Sequence, residues 1–454
     1  MNKPLSRWTK LLYGSGDLGF SLTSTIIGAF FAMFLTDVVG VAPRIAAAAI
    51  FIGRTWDYIN DPIFGHLTDR TRTRWGRRRP YLLFGVIPFA LVFSLMWYRP
   101  PFQTQLALAV YYAFIYVLYD AAATMVYMPY FALTPELTSD YDERTSLTSI
   151  RAFFSIVGSL IAFTIPLMIV GGFSPEHAPN ALRMGIIFAV ISALPLLLVF
   201  FGIRERQEFM QQKQPGLRQS LRSSWRNKPF IFGLIIFLFT WVSVDILQAI
   251  LLYFIKYVML MESRSDLIMA TIFIVAMLAL PAWNWASRRW NKRKAYIVGI
   301  AFWAVVQLGL GSLASSTPLY VILFLCVLAG IGVSAAHVLP WSMIPDAIEW
   351  GEWHTGERHE GMFYSLITLA QKIASSTAVP LALLVLDATG YQPNTAIQSA
   401  SAIQGIRLVT GPIPAVLLCL GILFALLYPL GRERYTQINA ELSARRSAPK
   451  EPGV

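Results

Sequence analysis

Charge is scarce in this chain. Asp, Glu, Lys and Arg make up 14% of its 454 residues, against about 25% for a typical soluble domain. That shortage excludes an ordinary water-soluble domain. Cysteine is scarcer still: Cys326 and Cys419 are the only two, and both sit in apolar runs. They read as small core or lipid-facing residues, with no disulfide or metal logic. Of the five histidines, His354 and His359 lie near glutamates, but His359-Glu360 is not followed by a second His at the spacing of a zinc-protease helix. No nucleophile–base pair or metal triad stands at one depth, which argues against an intramembrane enzyme. Long alternating segments are missing as well, which excludes a β-barrel.

Apolar sequence fills the space that charge leaves. The chain is 56% hydrophobic, with a mean hydropathy of +0.55. Windows long enough to cross a bilayer recur along it. Twelve spans are predicted, from 11–38 to 406–430: an all-α membrane protein of twelve transmembrane helices in two six-helix halves. Residues 1–203 form the first half, 204–228 a polar central loop, 229–430 the second half and 431–454 a polar, flexible tail.

The net charge of +12 does not point to nucleic acid, because the basic residues cluster in short loops. Arg70, Arg72, Arg74, Arg77, Arg78 and Arg79 follow the second span, and Arg288, Arg289, Lys292, Arg293 and Lys294 follow the eighth. The loops 39–42 and 315–316 carry no charge. This asymmetry puts the basic loops and both termini in the cytoplasm of a cell whose plasma (inner) membrane the chain crosses repeatedly. No cleavable signal peptide is expected. The echo of one basic loop six spans later suits two parallel repeats with a binding site at mid-depth between them.

Against that background, Asp57, Asn60 and Asp61 stand out. The two carboxylates are four residues apart and share a helix face. Ionisable groups at membrane depth are costly and mark an ion or substrate path. Thr124, on the fourth span, falls near the level of Asp61 and offers a hydroxyl to the same oxygen cage. Asp120, Thr124, Tyr127 and Phe131 follow one face of that span, and rings there suit the apolar side of a sugar. Asp17 and Ser21 are polar residues of the first span; Asp17 reads as a structural partner for a loop arginine or as a ligand group. Arg151, just inside the fifth span, is a snorkelling residue or a substrate donor. His337 and Trp341 are four apart on the tenth span, and Lys372 lies about three turns into the eleventh, where it must be paired, neutral or solvated by a cavity. The acidic stretch 136–143 is expected to pair with the arginines of 70–79 when the cytoplasmic side closes.

These motifs resemble a known family. Gly65-His-Leu-Thr-Asp69-Arg70 matches the loop signature of the major facilitator superfamily. Trp56-Asp57 through Pro62, the run Thr73-Arg-Trp-Gly-Arg-Arg-Arg-Pro80, Pro135-Glu-Leu-Thr through Arg144-Thr, and Glu352-Trp-His-Thr-Gly through Gly361 resemble the glycoside–pentoside–hexuronide:cation symporters, a melibiose permease-like family, over nearly the whole chain. The resemblance implies alternating-access transport of a sugar or glycoside with Na⁺ or H⁺ and no cofactor. It assigns Asp57, Asn60, Asp61 and Thr124 to the cation and Arg151 to a position near the sugar, and it matches Lys372 to a lysine of the eleventh span; Lys372 is expected among the substrate residues, and Asp69, Arg70, Arg144 and Arg358 at the gate. It departs at the galactoside clamp, where acidic positions become Ser21 and Tyr127 and tryptophans become Phe131 and His337. Asp17 and Asp120 are the carboxylates on neighbouring turns. A substrate other than a plain galactoside is expected, neutral or anionic, carried by a monomer with the lipid bilayer as its other partner. The rival readings are a carrier of a non-sugar amphiphile such as a lysolipid, which an apolar lateral opening would favour, and a sugar sensor that does not transport.

Overall fold

A computed structural model of the chain describes residues 5–138, 141–203, 227–355, 360–393, 395 and 397–447. Most of the central loop therefore lies outside the described residues. Among the described residues, twelve spans cross the fold. They are α1 (Arg7–Ile26), α2 (Pro43–Arg70), α3 (Arg79–Met96), α4 (Gln105–Leu137), α5 (Tyr141–Val170), α6 (Ala178–Gly202), α7 (Lys228–Tyr253), α8 (Ser265–Trp290), α9 (Lys292–Ser312), α10 (Leu319–Thr355), α11 (Glu360–Ala388), and a last span broken into α12 (Ala400–Thr410) and α13 (Pro412–Leu426). Ten stretches of the described residues are long and apolar enough to cross a membrane. The other two spans, α1 and α2, are as long but carry the acidic residues singled out above.

The packing repeats with a period of six spans. α1 packs on α5 and α6, α2 on α4, and α3 on α4 and α6. In the second half α7 packs on α11 and α13, α8 on α10, and α9 on α10 and α13. Two main seams then join the halves, α2 against α11 and α5 against α8. These are the same seam under the pseudo-two-fold axis, as parallel repeats require. Their chemistry differs: the α2–α11 seam is charged, and the α5–α8 seam is apolar.

The first helix of each half ends alike. α1 runs on through π-helical turns at Ile27–Phe31 and Phe34–Val39, and α7 through one at Phe254–Val258. Wide turns of this kind redirect side chains and collect at functional sites. The first stops at Gly40, whose φ of 90° is left-handed and costs glycine nothing.

With no hydrophobic drive between helices in lipid, small residues let backbones approach. Gly330 of α10 is such a place: a Cβ there would meet the Ile272 carbonyl oxygen at 2.5 Å and the Val275 Cβ at 2.8 Å. Because the obstacle is backbone, Gly330→Val is expected to cost about 1–3 kcal/mol or more by forcing α8 and α10 apart. A thermal melt followed by size-exclusion chromatography checks this, with a lower midpoint the expected result.

The tail departs from expectation. Arg432–Ser447 is a helix, α14. Ile438 and Leu442 are buried and Tyr435 packs partly against the core, a stripe at helical spacing that a mean polarity hides. The Trp353 indole N–H donates to Glu441 at 2.6 Å, tying the tail to the end of α10.

Candidate functional site

The charged seam is built by one lysine. Lys372 Nζ lies 2.7 Å from Asp57 Oδ2 and 2.5 Å from Asp61 Oδ2. The ammonium of one half thus sits between two carboxylates of the other, where a monovalent cation would find its ligands. Thr124 donates its hydroxyl to Asp57 Oδ1 at 3.4 Å. Asn60, buried, donates its amide to Asp120 Oδ2 at 3.5 Å. Asp120, expected among the substrate residues, is therefore joined to Asn60 on the α2–α4 interface. It precedes Thr124 by one helical turn, on the face of α4 that packs on α2. Tyr58 and Ser376 share a hydrogen bond across the same seam.

A second cluster forms around Asp17. Its carboxylate is buried and pairs with the Arg151 guanidinium, and the Tyr130 hydroxyl donates to Asp17 Oδ2 at 3.2 Å. Arg151 also donates to Thr134 at 3.2 Å and lies 4.9 Å over the Phe131 ring. Asp17 and Arg151 thus satisfy each other on the packed face of α1 and α5. Tyr127 packs edge-on to Phe20 and Phe89.

The apolar seam holds a cavity of about 250 Å³ bounded by α1, α5, α7, α8 and α10. Its polar lining comes from Thr25, Ser155, Ser159, Gln248, Ser334 and His337, and its apolar lining includes Phe163, Leu251, Phe273, Met277 and Leu280. No charged side chain lines it among the described residues. His337 Nδ1 bonds the Val333 carbonyl at 2.9 Å, which fixes Nδ1 as the protonated nitrogen and leaves Nε2 as an acceptor. Ser21 reaches this region through a 2.5 Å bond to Ser155. Trp341 packs against Phe237 and is not part of the lining.

The end of the bundle away from the basic loops is closed by a residue the sequence reading passed over. Asp37, fully buried in the π-helical end of α1, accepts from Lys256 at 2.9 Å, from Tyr257 at 2.5 Å, from Thr36 at 3.0 Å and from Tyr391. Three of these donors belong to the other half, and Lys256 sits in the matching π-helical turn of α7. A lone Asp inside an apolar span end was the available signal, but its partners in the other half are more than 200 positions away in sequence. At the basic end, Glu143 pairs with Lys10 at 3.0 Å. Arg70 is exposed at the end of α2. The side chains of Asp69 and Arg144, and all of Arg358, lie outside the described residues.

Known proteins are similar to this chain over nearly its full length. An uncharacterized symporter of Synechocystis sp. is 31% identical over 96% of both chains. The sodium-dependent lysophosphatidylcholine symporter 1-A of Danio rerio is 30% identical, over 97% of this chain and 89% of its own. The isoprimeverose transporter of Lactiplantibacillus pentosus is also 30% identical, over 92% and 87%. Among solved structures, the nucleoside transporter NupG superposes with a TM-score of 0.68 at 12% identity, covering 92% of this chain and 99% of its own, which is a likeness of fold. Residues 12–432 match the model of the MFS/sugar transport protein family, and with twelve spans, a six-span repeat and a charged seam at mid-depth, the chain belongs to that family.

Proposed function

We propose that the chain is a secondary active transporter that carries a glycoside together with Na⁺ or H⁺ by alternating access. The observation that carries this reading is the Lys372 ammonium held between Asp57 and Asp61. It is at once a cation-shaped site and a tie between the halves. A cation entering from one side neutralises the carboxylates and competes for them with the ammonium. Once released, α11 no longer pins α2, and the halves 1–203 and 229–430 are free to rock about the site. Asn60 and Thr124 supply neutral oxygens to a Na⁺; a proton needs only a carboxylate. The cavity on the α5–α8 seam offers a sugar the hydroxyls of Ser155 and Ser159 and the imidazole of His337, while Asp17, Arg151, Tyr127 and Phe131 lie outside its lining. The basic loops and both termini lie on the cytoplasmic side of the inner membrane, and the functional unit is a monomer.

One observation favours a second reading. The cavity on the α5–α8 seam is mostly apolar and uncharged, which suits the chain of an amphiphile, and one relative is named for a lysolipid. Proteoliposome uptake separates the two. A panel of neutral glycosides, anionic glycosides and lysophosphatidylcholine is offered under an imposed Na⁺ or H⁺ gradient. Accumulation of a glycoside under one gradient is the expected result. Accumulation of the lysolipid alone would replace the first reading with the second.

A further inference from the structure

Asp245 belongs neither to the cation pair nor to the cavity lining, yet its hydrogen-bond partner stands one turn from Lys372 and its neighbours on α7 line the cavity. Its Oδ2 accepts the Ser375 hydroxyl at 2.5 Å. The carbonyl of the same Ser375 accepts the Arg54 guanidinium at 2.5 Å, and Arg54 Nε donates to the Tyr116 hydroxyl at 2.9 Å. Arg54 precedes Asp57 by one turn of α2, and Ser375 follows Lys372 by one turn of α11. On α7, Val244, Leu247 and Gln248 flank Asp245 and face the cavity. Gln248 also reaches across the halves, donating to the Thr25 carbonyl at 3.3 Å.

We infer that Asp245 is a positioning residue for coupling: through Ser375 and Arg54 it transmits the state of the Asp57–Lys372–Asp61 site to the α7 wall of the cavity. The inference rests on the symport reading above. Ser375 bonds a charged group of each half, its hydroxyl to Asp245 and its carbonyl to Arg54. When a cation displaces the ammonium, α11 loses its tie one turn away and Ser375 moves with it. Hydrogen bonds weaken steeply with lost alignment, so a small shift of α11 is enough to release both. Asp245 then loses its hydrogen-bond donor, and the turn of α7 that carries Val244 and Gln248 follows. A carboxylate that merely balanced Arg54 would support stability and would not link these two states.

The test uses the full chain in proteoliposomes, with Cys326→Ala and Cys419→Ala and a bimane fluorophore on Ser159→Cys in the cavity wall. Emission is compared in Na⁺ against choline and at acidic against neutral pH. The parent is expected to respond to its coupling cation by several-fold more than the error of the measurement. In Asp245→Asn that response is expected to vanish, while the heat of cation binding in titration calorimetry gives an affinity within about threefold of the parent, since coupling and binding are separable. Ser375→Ala should behave the same way, and it decides the matter if Asp245→Asn does not fold. Asp245→Glu should restore part of the response. A full parental response in both Asp245→Asn and Ser375→Ala overturns the inference and leaves symport standing. A parent that responds to neither cation removes the symport reading itself.

Discussion

Asp61→Asn is expected to abolish uphill accumulation while leaving exchange of substrate across the membrane intact. In the structure two carboxylates share one ammonium. With a neutral amide replacing the second carboxylate, Asp57 and Lys372 neutralise each other and the incentive for a cation to enter is lost. A charged contact is worth roughly 1.5–3 kcal/mol, so the cation affinity should fall by about ten- to a hundredfold. Coupling is reciprocal, so the cation's enhancement of substrate binding should fall with it. Asp57→Asn should do the same, with the further loss of the Thr124 contact. Gradient-driven uptake and equilibrium exchange, measured side by side, check this. Undiminished accumulation in both variants would remove these carboxylates from the coupling step.

The second large effect is expected at Asp37. Removing one member of a buried ion pair costs about 3–5 kcal/mol, because the other charge is left without its partner. In Asp37→Asn that charge is Lys256, which retains the Phe173 carbonyl and, at 3.7 Å, Glu262. On the proposed orientation, which puts the end away from the basic loops outside, the closed form of that outer end should therefore lose about two decades of preference over the open form, each 1.4 kcal/mol being tenfold. A cysteine at Thr25, in the cavity wall, reports the change. Its labelling from the outer side by a membrane-impermeant maleimide should be fast in Asp37→Asn and slow in the parent. Tyr391→Phe, which removes one neutral donor to the same carboxylate, should fall between them. Equal labelling rates in all three would show that this cluster does not hold the outer end shut.

The architecture and the acidic face of α2 were legible in the chain because they depend on local patterns, whereas the pairing of that face with Lys372 was not. Continuous apolar runs mark spans, and i, i+4 spacing puts Asp57 and Asp61 on one face. A lysine within a span demands a partner, and Asp57 and Asp61 are where Lys372 finds it. That Asp120 meets Asn60 was not legible, because helix spacing gives a face and not the neighbour that face meets. Arg151 and Asp17 were each flagged and are paired in the structure, but nothing in the sequence says that they meet. Asp37 was missed because its meaning lies in Lys256, Tyr257 and Tyr391, which arrive from other helices. The tail was expected to be flexible since its mean polarity outweighs three apolar residues on one stripe.

The sharing of a single ammonium by two carboxylates also fixes how the carrier responds to voltage. With both acids ionised, Asp57, Asp61 and Lys372 together carry one negative charge, and a bound monovalent cation brings the trio to neutrality. On the proposed cycle the loaded carrier moves with no net charge on this trio, and the empty one returns with a surplus of one negative charge. A potential that is negative inside pushes that surplus outward, at about 2.3 kcal/mol per charge for each 100 mV across the full membrane. The electrical gradient therefore acts by resetting the empty carrier for its next cycle, while the delivery step is left to the concentration gradients alone.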